Sequence, residues 1–122
     1  MLFMMIVKAS KNSEGPYVQQ PYSEAMMDQY NQELINAGVR VMAKGLHPSS
    51  EGIRFSHVNP GEEPVVSYGP FEPTNDVVAG FFLINVKTKE EAIEWALKVP
   101  DPMGNGEGQI ELRQVWEKPE FC

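Results

Sequence analysis

The chain has 122 residues, with 10 basic and 17 acidic side chains and a net charge of −7. At that length one domain is expected, with a core that holds without staples. The negative balance works against phosphate backbones and anionic membranes, so neither nucleic acid nor a membrane is an expected partner.

The one cysteine, Cys122, excludes an internal disulfide and points to a reducing, cytoplasmic setting. Leu2 to Val7 is an unbroken apolar run with no basic stretch before it and no small-residue cleavage site after it. It is a strand rather than a leader. No run approaches the roughly 20 apolar residues of a membrane helix.

A polar loop is expected from Ser10 to about Pro21, and Ser23 has the chemistry of a helix N-cap. Met27, Tyr30, Leu34 and Ala37 recur at helical spacing, and Gly38 ends that helix. Val39, Val41 and Ala43 alternate with Arg40 and Lys44, which predicts a strand. "GLHPSSEG" is a loop. Ile53 to Val58 alternates again, with His57 inside that strand. "NPGEE" is a turn, and Val65 to Tyr68 is a short strand.

Ala79 to Val86 is a second, near-continuous apolar run. Thr88 and Glu91 have capping-box spacing. The helix they open carries Ala92, Trp95, Ala96 and Val99 on one stripe, widened by Ile93 and Leu97, and ends before Pro100. "DPMGNGEG" is a loop, Gln109 to Trp116 is the last strand and "EKPEFC" is a tail.

That order predicts an α+β, ferredoxin-like βαββαβ sandwich with an extra short strand. The two runs without alternation belong at the centre of the sheet, buried on both faces. Two helices cover one face. No segment remains for the other, so a homodimer packed sheet to sheet is expected, because an open apolar face is an aggregation liability.

Three stretches carry a resemblance: "GLHPSSEGIRF", "YGPFEPTNDVVAGFFLINVKTKEEAIEWALKVPDPM" and "IELRQVWE". Together they resemble the DGPF group of YCII-related proteins, from Leu2 to about Phe121. The resemblance implies a ferredoxin-like fold and a dimeric α/β barrel. It implies no fixed activity: a small-molecule-binding protein or enzyme, or a non-catalytic dimeric module in a sigma-factor-linked regulatory system. Two positions depart from the group. Tyr68 stands where the DGPF motif has aspartate, and Tyr30 matches the helix histidine proposed as catalytic in the YCII branch. Tyrosine is a poor base near neutrality, with an unperturbed pKa of about 10.

The remaining proton shuttle in a loop is His47. The expected catalytic set is therefore His47, Tyr68 and Asp76, with Glu72 or Asp76 orienting the ring and Tyr68 donating to an oxyanion. Glu72, Thr74 and Ser49 are the expected substrate-binding residues, with Ser50 beside them. Gly69-Pro70 reads as a turn in which Gly69 takes a positive φ, with Phe71 as its anchor. Trp95, Phe81 and Phe82 read as core before pocket wall. Two histidines and a terminal cysteine show no metal-ligand spacing. The "GNGEG" stretch lacks the lysine and the following helix of a phosphate cradle, so no cofactor is expected.

Overall fold

The computed structural model describes residues 1–15, 21–104 and 106–117. Residues 16–20 of the first loop, Asn105, and the tail with Cys122 lie outside the described residues. In chain order the elements are β1 (Leu2–Lys8), α1 (Lys11–Glu14), α2 (Pro21–Asn36), β2 (Arg40–Gly45), β3 (Ile53–Ser56), β4 (Val65–Tyr68), β5 (Val78–Asn85), α3 (Lys89–Leu97) and β6 (Ile110–Gln114). Single 3₁₀ turns occupy Ser49–Glu51 and Thr74–Asp76.

The two continuous apolar runs, β1 and β5, are the central strands of a four-stranded sheet ordered β2-β5-β1-β6. All three pairings are antiparallel. With α2 and α3 as the crossovers, this is the α+β, ferredoxin-like arrangement. Cross-strand rows define its faces. Ala43–Phe82–Met5–Leu112 lie side by side on one face. There Tyr30 and Leu34 of α2 and Ala92 of α3 complete the buried core. The rows Met42–Leu83–Met4–Arg113 and Lys44–Phe81–Ile6–Glu111 form the opposite face. Met4, Ile6, Phe81 and Leu83 are only half-buried there, and Met42 is exposed. The central strands are thus sealed on one face only.

β3 and β4 pair into a separate two-stranded ribbon. Its Ile53, Phe55, Val66 and Tyr68 side of the register is exposed, while Arg54 lies over the Phe71 ring, 4.0 Å from its centroid.

Several local expectations shift. α2 starts at Pro21, so Ser23 sits inside the first turn rather than at the cap; proline suits that first position because its missing N–H has no helical partner. Gly38 ends α2 at φ 71°, as expected. In β2 the register slips between Arg40 and Met42, which breaks the alternation. Val39 and Ala43 meet the core, but Val41 is exposed. A bulge adds a residue and reverses which face its neighbours take.

Ser10, expected to begin a loop, instead caps the one-turn α1 and accepts from Ser13 N. Thr88 caps α3 and accepts from Glu91 N, while Glu91 itself accepts from Lys87 N. Ile93 and Leu97 do not widen the core stripe of α3; both are exposed. β3 ends at Ser56, which leaves His57 outside the strand and exposed.

Candidate functional site

The expected catalytic residues do not gather into one set. His47 has a side chain 84% exposed, and its Nδ1 lies 3.1 Å from Glu51 Oε2. Its carboxylate partner comes from the adjoining Ser49–Glu51 turn, not from Glu72 or Asp76. Tyr68 ends β4 opposite Ile53 and is 73% exposed. Glu72 and Asp76 are exposed and Thr74 is half-buried. Among the described residues no hydrogen bond links His47 to Tyr68, Glu72 or Asp76.

Ser49 is buried and has a structural task. Its Oγ donates to Glu14 Oε1, and its N–H donates to Glu14 Oε2 at 2.9 Å. The same Oγ accepts from Phe71 N at 3.0 Å. One serine therefore joins α1, the loop after β2 and the Gly-Pro-Phe turn. Gly69 N–H donates to Gly52 O at 3.0 Å, closing the base of the ribbon. The Gly69-Pro70 and Glu72-Pro73 bonds are cis. Gly69 does not take the positive φ expected of it. Glycine is needed there because the Ser49 carbonyl passes where a Cβ would sit. Thr74–Asp76 forms the short helical turn expected of that segment, without a side-chain cap.

Tyr30, at the position of the related helix histidine, is 3% exposed. Its hydroxyl donates to Trp95 O at 2.8 Å and ties α2 to α3. Its ring meets Phe82 and Trp95 edge-on, at centroid distances of 5.4 and 6.2 Å. Burial, with the Glu33 charge adding to it, pushes the Tyr30 pKa well above the ordinary tyrosine value. The residue is a fixed donor. Tyr30→Phe leaves the Trp95 carbonyl without that donor and should cost about 1–2 kcal/mol in urea unfolding. The raised folded pKa adds a sign: the contribution is full below about pH 10, the unfolded tyrosine value, and fades as pH rises past it. Wild type should approach Tyr30→Phe in stability at high pH; a constant gap would contradict the assignment.

A cleft lies at the other end of the helix-covered face. The row Gly45–Gly80–Val7–Ile110 continues that face beyond Phe82. Two adjacent glycines leave its floor without side chains. The result is a cleft of about 440 Å³, walled by Met27 and Asn31 of α2, Ser13 of α1, Phe82 and Met103. Gly80 is obligatory for close packing, since a Cβ there would lie 2.8 Å from Lys44 O. A Cβ on Gly45 would meet nothing within 4 Å. Asn31 is oriented by its neighbours: Nδ2 donates to Met27 O at 3.4 Å, and Oδ1 accepts from Arg40 Nε at 3.3 Å. Phe81 and Phe82 both line the cleft, whereas Trp95 packs against the core.

Sequence reasoning missed this cleft. Gly45 looked like the start of a loop and Gly80 like a gap in an apolar run. Their meaning depends on register, which sets them side by side.

Among the described residues no group of His, Cys, Asp and Glu is arranged to hold a metal ion, and no helix is long and apolar enough to cross a membrane. Comparison with curated proteins found no match. Residues 1–118 match the YCII-related domain, in agreement with the ferredoxin-like sheet and the motifs noted above. The chain belongs to the YCII-related domain family.

Proposed function

We propose that this protein is a homodimeric small-molecule-binding member of its family, with the cleft over Gly45 and Gly80 as the binding site. The observation that carries this reading is the glycine floor beneath apolar and polar walls. Its volume of about 440 Å³ falls within the range typical of small-ligand pockets. Binding is favoured over proton-transfer catalysis because the described lining residues include no His, Asp, Glu, Cys or Tyr. The homodimer is supported by the half-buried apolar rows of the uncovered sheet face. YCII-related proteins are typically dimeric, which agrees with it.

The test is a thermal-shift screen of small amphipathic compounds on wild type and Gly45→Leu. A Cβ at position 45 meets open space and φ is ordinary, so the variant should fold with stability within about 1 kcal/mol of wild type. Its side chain fills the cleft. Compounds that raise the wild-type melting temperature should lose that effect in Gly45→Leu, since a ligand of the native state stabilises only where it binds. Equal shifts in both proteins would place the ligand elsewhere and remove this reading.

A further inference from the structure

We infer that the cleft selects small organic anions, monocarboxylates with an apolar body, and that Arg40 holds the carboxylate. The inference rests on the cleft being the binding site. Arg40 opens β2 on the helix-covered face, in the row of Ile84 and Phe3. Arg40 adjoins the cleft lining rather than belonging to it, and its guanidinium bridges two lining residues: Nε donates to Asn31 Oδ1 at 3.3 Å, and Nη2 donates to Ala43 O at 3.5 Å. Both bonds are long. A guanidinium carries five N–H donors in a planar fork, and two weak bonds to neutral oxygens leave its pairing geometry free.

The charge balance around it is unusual for this chain. Arg40 is half-buried, and the protein has seven more acidic than basic side chains. Yet among the described residues the ion pairs are His47 with Glu51 and Arg113 with Glu111, and neither involves Arg40. A half-buried guanidinium whose hydrogen bonds go to neutral oxygens is a ready seat for a carboxylate. No lining residue is acidic, and the one charged lining residue is Lys44. Three acids adjoin the lining in sequence. Glu14, beside Ser13, is bound by Ser49; Asp101, beside Pro102, accepts from Gly106 N through Oδ2, with Oδ1 buried and without a hydrogen-bond partner among the described residues; Asp28, beside Met27, is exposed on α2. Past Asn31, the cleft surface is Met27, Phe82, Val7 and the two glycines, which suits an uncharged apolar body. A carboxylate at Arg40 would form the paired, charge-assisted hydrogen bonds that arginine favours.

The experiment is calorimetric titration of the full chain with a panel of short-chain and aryl monocarboxylates, each beside its uncharged amide. The best acid should bind wild type at least about tenfold more tightly than its amide, the worth of one charge-assisted contact. In Arg40→Gln that ratio should fall to near one while the amide keeps its wild-type affinity. Arg40→Lys should recover part of the preference. The acid-to-amide ratio is taken within one protein, so a general loss of stability does not move it. In Gly45→Leu both members of each pair should fail to bind. Amides binding wild type as well as acids would overturn the anion inference and leave the cleft standing. An acid preference that survives Arg40→Gln would overturn the role of Arg40. A panel in which no pair binds wild type would remove both this inference and the proposed site.

Discussion

Alanine at position 69 is expected to be among the most damaging single changes in this protein, with a loss on the order of 3–5 kcal/mol. The added Cβ would overlap Ser49 O and lie 2.6 Å from Ser49 C. Both are backbone atoms, and neither can withdraw cheaply. Ser49 O accepts from Gly52 N at 2.8 Å, Ser49 N and Oγ are bound to Glu14, and Phe71 N is bound to Ser49 Oγ. Moving Ser49 breaks this set together. The effect differs in kind from a left-handed glycine replaced by alanine, because the cost comes from overlap between two strands of backbone. Urea unfolding and amide exchange at Gly52 and Phe71 measure it. A wild-type midpoint with wild-type protection at both amides would mean that the two backbones do not approach so closely.

Leu83→Glu is expected to dissociate the proposed dimer, with the dissociation constant rising on the order of a hundredfold or more, the effect of losing a central interface anchor. Leu83 sits in the middle of the uncovered face, between Met42 and Met4 in its row and beside Phe81 along the strand. Sheet-to-sheet packing would bury the introduced carboxylate without a partner. The helix-covered face does not touch position 83, so the monomer should keep its fold. Sedimentation velocity across a concentration series, with circular dichroism as the fold check, reads both. A variant that associates as tightly as wild type would move the interface off this face.

The sheet was readable because its order follows from burial alone. β1 and β5 are runs without polar alternation, unbroken in β1 and near-continuous in β5, and such runs belong at the centre. The helices were readable from stripe spacing and from Gly38 and Thr88, whose cap chemistry is local. The parts that escaped depend on non-local geometry. Val41 looked like a core residue until the bulge turned it outward. Ser49 looked like a substrate hydroxyl, yet its partners Glu14 and Phe71 lie 35 and 22 residues away in the chain. His47 was chosen for its intrinsic pKa, but composition says nothing about where a loop side chain points. The cleft was hardest of all, since it is made by missing side chains at Gly45 and Gly80, and an absence has chemical meaning only when register sets two of them together.

Entry of ligand into the proposed cleft over those two glycines can be read from backbone amide chemical shifts. A ¹⁵N-labelled sample titrated with the best-binding monocarboxylate should show its largest shifts at Gly45, Gly80, Ala43 and Asn31, with the Arg40 Nε–H signal moving in step. The same titration of Gly45→Leu should leave those signals in place. Shifts that cluster instead at His47, Tyr68 and Asp76, or on the Met4–Leu83 face, would rule the cleft out as the binding site.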